Sequence, residues 1–298
     1  MAKQCLSTQF PLSRLFQGYD LYQQAKGCRP SSRATSQRAL AQLSRDLPPE
    51  CQNDARNITA SHLVAWAAAL DEAGYAAATR DQRIAKVKAF FAWAHQEKFL
   101  PNNPSTGLKR PRNTWQPDPF SQAEVERLLK VKQDGRTGVR DHAIVCTLLD
   151  TGIRASELCA LTVDCVDLNT GHIKVLQGKG GKDRTVMMGK RCKAALWRYM
   201  MQRPETWVSN LFVSERGKPL HRTILGRQVR IIGERAAVHP CYPHRFRHTF
   251  AVMYLKAGGD PYSLQYLLGH SDMTVTKQYV KLAALDVREL FRSPLDRL

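Results

Sequence analysis

Apolar residues in the first hundred positions recur at helical spacing. Phe10, Leu12, Leu15, Phe16, Tyr19 and Tyr22 fall on one side of a helix running from about Phe10 to Ala25. Leu40 and Leu43, with Arg33 and Arg38 facing out, predict a second helix over Ser32 to Arg45, stopped by Pro48-Pro49. Thr59 and Ser61 are candidate caps for a third, through Leu63, Trp66 and Leu70 to Gly74. From Thr79 a longer helix carries Ile84, Val87, Phe90, Phe91 and Ala94 as its apolar stripe. Its charged positions are Arg80, Arg83, Lys86 and Lys88.

The periodicity then breaks. The run from Leu100 to Pro119 is dense in Pro, Asn and basic residues and reads as an extended connection. We therefore expect a helical domain over residues 1–108, a linker over 109–119 and a second domain over 120–298. The second domain opens on a capping-box pattern, Ser121-Gln122-Ala123-Glu124, and a helix through Leu129. An apolar helix from about Val139 to Asp150 follows, then a turn at Gly152 and a short helix carrying Arg154 to Leu161. At His172–Leu176 and Arg184–Met188 the period changes to two around a Gly-rich turn, which predicts a β-hairpin. Helices are expected at about 190–203, 221–237, 244–257, 261–268, 272–282 and 285–292. The fold class is mostly α with one small β-sheet, in two domains. Tyr254, Tyr262 and Tyr266 look like core aromatics on this spacing, and Trp66, Trp93, Trp115, Trp197 and Trp207 like packing residues.

Charge changes the picture more than any other feature of composition. Against 26 acidic residues stand 45 lysines and arginines, a net charge of +19. The excess is shared, +7 through Arg110 and +12 after it, as expected if both halves grip one polyanion. Nucleic acid or an anionic membrane surface would satisfy such a charge. No apolar run approaches the roughly 18 residues of a spanning helix, and the N-terminus lacks a signal peptide's apolar core, so a cytoplasmic, nucleic-acid-bound protein is expected, with no membrane partner. The eight cysteines are scattered without metal-site spacing and read as free thiols; no metal is implied.

Candidate chemistry concentrates in Pro243-His244-Arg245-Phe246-Arg247-His248, then Leu268-Gly269-His270-Ser271-Asp272, then Tyr279. Upstream lie Thr151-Gly152-Ile153-Arg154-Ala155-Ser156-Glu157 and the turn Gly178-Lys179-Gly180-Gly181-Lys182. Phosphodiester transfer needs a nucleophile, cations on the non-bridging oxygens and a proton for the leaving alkoxide. Tyr279 suits the first and Arg154 and Arg247, with planar forks, the second. His244 and His270 can donate hydrogen bonds or exchange protons, and Lys179 or Lys182 can protonate the leaving oxygen. The glycine-rich turn lacks the spacing of an ATP-binding phosphate loop. His248, beside Arg247, reads as a core or supporting residue.

In order and spacing this set resembles the tyrosine recombinase (phage integrase) family, which includes the bacterial XerC and XerD recombinases, from about Phe10 to the C-terminus. The resemblance implies an N-terminal helical core-binding (SAM-like) domain and a C-terminal catalytic domain. It implies that Arg154, Arg247, His244 and His270 bind and activate the scissile phosphate, that Lys179 rather than Lys182 is the general acid, and that Tyr279 forms a 3′-phosphotyrosine bond. Glu157 would orient an arginine. No cofactor or ATP is implied. The partners would be double-stranded DNA with inverted-repeat core sites and three further protomers, identical or paralogous, around a four-way junction. Arg80, Arg83, Lys86, Lys88, Lys182 and Arg245 are candidate DNA contacts, the first four equally readable as a solvated face. Two departures stand out: the Gln116–Ser121 segment, and the extra charge of Arg245 inside the His-x-x-Arg motif. The rival readings are a catalytically silent DNA-binding or architectural protein on the same scaffold and, more weakly, a topoisomerase of the same chemistry.

Overall fold

The computed structural model describes residues 10–111, 116–132, 134–176, 183–270 and 272–283. The chain divides into two compact units, Met1–Trp115 and Gln116–Leu298, and no described helix is long and apolar enough to cross a membrane.

The first unit is helical. It comprises α1 (Leu12–Ala25), α2 (Pro30–Asp46), α3 (Pro49–Asn53), a 3-10 turn at Ala55–Asn57, α4 (Ala60–Glu72) and α5 (Ala77–Gln96). The prolines do more than the sequence reading allowed. Pro30 opens α2 and Pro49 opens the unforeseen α3, each at a first-turn position whose N–H has no helical acceptor to lose. The Thr59 hydroxyl caps α4 through the His62 N–H. Leu15, Tyr19, Leu43, Leu63, Trp66, Phe90 and Phe91 are buried together, with Phe16 and Tyr19 edge-on to Phe90 at 5.1 and 5.5 Å.

The second unit begins with α6 (Gln122–Lys130), α7 (Gly135–Thr151) and α8 (Ala155–Ala160). An antiparallel sheet follows, β1 (Val166–Asp167), β2 (His172–Val175) and β3 (Arg184–Met187), in the order β1-β2-β3. Ile173 faces Val186 and Val175 faces Arg184. Then come α9 (Lys190–Gln202), α10 (Arg222–Arg235), α11 (Pro243–Lys256), α12 (Pro261–Leu268) and α13 (Met273–Ala283). The two-residue strand β1 was not foreseen, because it is too short to show a period. The expected 285–292 helix and the hairpin turn at 177–182 lie outside the described residues.

Helix α11 is the hub. It buries Phe246, Phe250, Ala251 and Leu255 and packs against α7, α10, α12 and α13. The second unit's entry is pinned to it: the Phe120 N–H donates to the Thr249 hydroxyl at 2.8 Å, and the Phe120 ring meets Phe246 edge-on at 4.9 Å. Trp66 and Trp93 are core residues as expected. Trp197, Trp207, Tyr262 and Tyr266 are not: 59–100% of each is exposed; helical spacing does not say which face of a helix is covered, and Trp207 lies in the loop after α9. The seven described cysteines are free thiols.

Candidate active site

Three arginines converge on the C-terminal end of α12. Its last carbonyls lack intrahelical donors and carry the negative end of the helix dipole. Arg184 donates to the Leu267 carbonyl at 2.7 Å, Arg247 to the Leu268 carbonyl at 2.6 Å, and Arg154 to the Gly269 carbonyl at 3.0 Å. Gly269 ends the helix at φ +63°, a conformation that favours glycine. Gly152 does the same for α7 at φ +60°, and its carbonyl takes the other Arg247 fork at 2.9 Å.

Glu157 ties two of these arginines, Arg154 and Arg184, together. Its carboxylate accepts from Arg154 at 2.9 Å and from both forks of Arg184 at 2.9 and 2.8 Å, while the Arg154 backbone N–H donates to it at 2.7 Å. Burial disfavours its charge, but hydrogen bonds from Arg184 and the Arg154 backbone outweigh that and hold the carboxyl at about 2. Arg247 has no carboxylate within ion-pair distance among the described residues, although it is 2% exposed. Burial and the nearby Arg154 guanidinium pull it down to about 9, so it keeps its charge at neutral pH. A buried guanidinium whose described hydrogen bonds all go to carbonyls favours an anion beside it.

The imidazoles sit in the field of these cations. His270 stacks on Tyr279 at 6.3 Å and bonds through Nδ1 to the Thr276 hydroxyl at 3.2 Å. Burial, Arg247 and Arg154 push it down to about 4. Partial desolvation and the same arginines lower exposed His244. Tyr279 is 1% exposed, and burial raises its phenol to about 12. Its hydroxyl lies 2.7 Å from Nδ1 of His248, which is itself 1% exposed. Such a set can bind a phosphate between Arg154, Arg247 and the histidines with a phenol beside it. The phenol oxygen is closed to solvent in this fold.

The chain matches the phage integrase family over residues 119–285 and that family's N-terminal SAM-like domain over 16–98. It is 35% identical over 225 residues to the tyrosine recombinase XerD of Ralstonia nicotianae, covering 72% of each chain. Its fold matches the Tn1549 transposon integrase in complex with a circular intermediate DNA, at TM-score 0.77 and 23% identity over 97% of this chain and all of that one. It also matches a lambda integrase tetramer bound to a Holliday junction, at TM-score 0.75 and 17% identity over 92% of this chain and 78% of that one.

The chain belongs to the phage integrase family of tyrosine recombinases. It is a tyrosine-type site-specific DNA recombinase.

Of the six catalytic candidates in this recombinase, the fold brings together Arg154, His244, Arg247, His270 and Tyr279, with Glu157 behind them. Lys179 and Lys182 lie outside the described residues. Sequence reasoning missed Arg184, although the alternation Arg184-x-Val186 places it on the buried face of β3. His248 is a core residue as expected, 1% exposed; four residues after His244, it also shares that residue's face, ring to ring at 4.4 Å.

Arg245 corrects an expectation. Rather than facing DNA it is 6% exposed, ion-paired with Asp118 and Glu124 at 3.2 Å and bonded to the Pro240 carbonyl at 2.8 Å. The two departures from the family pattern, Arg245 and the segment containing Asp118, are thus partners. The α5 cations are half-buried and engaged within the first unit. Arg80 pairs with Asp71; Arg83 lies 3.9 Å over the Tyr75 ring and bonds Gln42; Lys86 reaches Ser32 at 3.2 Å; Lys88 holds the Leu108 carbonyl at 2.8 Å.

Proposed function

We propose that this recombinase cuts DNA by attack of the Tyr279 hydroxyl oxygen on the scissile phosphorus. A 3′-phosphotyrosine bond forms as the bond to the 5′ oxygen breaks, and Lys179 supplies the proton to the departing 5′-hydroxyl. Arg154 and Arg247 neutralise the non-bridging oxygens, and His244 and His270 donate hydrogen bonds to them. The observation that best supports this reading is the guanidinium of Arg247, held by carbonyls and without an ion-paired carboxylate among the described residues, next to a buried phenol. An arriving phosphate would raise the depressed histidines toward their ordinary range by adding negative charge.

The 5′-hydroxyl of a partner strand then attacks the phosphotyrosine, so bond energy is conserved and no ATP is consumed. Four protomers, identical or with a paralogue, exchange strands in two rounds through a four-way junction at inverted-repeat core sites. Integration or excision of a mobile element and resolution of replicon dimers are the outcomes such exchange serves. The tetrameric junction complex of lambda integrase supports this assembly by analogy of fold.

The test is incubation with nicked duplexes from the DNA flanking its own locus, in EDTA and without ATP. A covalent protein–DNA band that Tyr279→Phe abolishes is the expected result. Sequence-specific binding without a band on any of these duplexes would favour the silent DNA-binding reading.

A further inference from the structure

The Tyr279 hydroxyl has one described hydrogen-bond partner in this fold, and it is not among the residues expected to do chemistry. It is Nδ1 of His248, at 2.7 Å. Both side chains are 1% exposed, so bulk water does not compete for the phenolic proton. The position follows from the helix: His248 follows Arg247 on α11 and lies one turn beyond His244, and α13 packs directly on that helix. His270 lies against the flat face of Tyr279 rather than its oxygen, and its Nδ1 is taken up by Thr276. His244, the other candidate base, meets His248 ring to ring and is exposed toward solvent.

We propose that His248 is the general base of strand cleavage, taking the Tyr279 proton on Nδ1 as the phenolic oxygen bonds to phosphorus. The O–H bond breaks and an N–H bond forms on the imidazole. The oxygen's electron pair becomes the new P–O bond, and the P–O5′ pair leaves with the 5′ oxygen, which takes its proton from a separate acid. In the reverse step, rejoining, the imidazolium returns its proton to the phenol. The step needs Nδ1 unprotonated beforehand. Burial, His244 and Arg247 secure this by holding the group at about 3 in the DNA-free protein, and a bound phosphate anion would increase its basicity at the moment of use. The inference rests on Tyr279 being the nucleophile.

The test combines His248→Asn, whose amide stands near the Nδ1 position, with genetic incorporation of 3,5-difluorotyrosine at position 279. That phenol is more acidic and depends less on a base. Covalent-adduct formation is timed on nicked duplexes, with DNA affinity and urea midpoint measured alongside. With the natural tyrosine, His248→Asn is expected to slow adduct formation about 10²- to 10³-fold with DNA affinity within two-fold of the parent. With difluorotyrosine the loss is expected to shrink below ten-fold. Equal slowing with both nucleophiles would make His248 a packing residue only and overturn the proposal, as would no slowing at all. If His248→Asn proves unfolded, His248→Gln takes its place under the same criteria. A parent protein that forms no Tyr279-dependent adduct would instead refute the nucleophile assignment itself.

Discussion

Glu157 shows how much of this site is held by residues that need not touch DNA. Its carboxylate joins Arg154 on one helix start to Arg184 on a strand. Removing it leaves Arg184 buried and unpaired, so Glu157→Ala is expected to cost about 3–5 kcal/mol in urea unfolding. The pH dependence has a definite sign. The carboxyl is held at about 2 when folded against about 4.3 unfolded. Its contribution, about 3 kcal/mol by linkage, is therefore present above pH 5 and lost as pH falls toward 2. Glu157→Gln should flatten that part of the stability profile. Arg245→Ala tests the corrected assignment: a loss of about 1–3 kcal/mol in stability with DNA affinity at high salt unchanged. An unchanged stability with weakened DNA binding would restore the surface reading. At this scale the motif residues were legible because chemistry restricts their type and spacing. Arg184 was not, nor was the contact of the buried His248 with Tyr279, because each depends on a partner brought in from another element.

Among the elements, the two left-handed glycine turns set the geometry. Gly152 and Gly269 end α7 and α12 and turn their carbonyls onto Arg247 and Arg154. At Gly152 an added Cβ would collide with the Phe250 ring and approach Leu268 at 2.9 Å, on a backbone that already disfavours it. Gly152→Ala is therefore expected to destabilise by about 2–4 kcal/mol and to reduce cleavage further by moving the Arg247 acceptor. Thermal unfolding and adduct yield check the two parts separately. Most elements of the fold were readable from apolar period and caps: the Ser121–Glu124 box forms as expected, with reciprocal bonds of 3.2 and 2.8 Å. Misses fell where period carries little information, at the two-residue β1, at the five-residue α3, and in deciding that Tyr262 and Tyr266 face outward.

For the molecule as a whole, charge decides how it meets its substrate. A net +19 predicts binding dominated by counterion release. Affinity for core-site DNA should fall about 10³-fold or more between 50 and 200 mM salt if six or more phosphates are neutralised, as read by fluorescence anisotropy. A slope near zero would contradict a phosphate-gripping interface. The family's two-domain plan and the cluster around Arg247 were legible in the sequence, whereas the burial of Tyr279 was not, since it depends on α13 lying against α11. That burial makes the decisive measurement a demanding one: peptide mapping by mass spectrometry of the covalent complex trapped on a nicked duplex. The expected product is a single peptide carrying the DNA 3′-phosphate on Tyr279. A DNA-linked peptide bearing instead the exposed Tyr262 or Tyr266, or a 5′ linkage, would contradict the account.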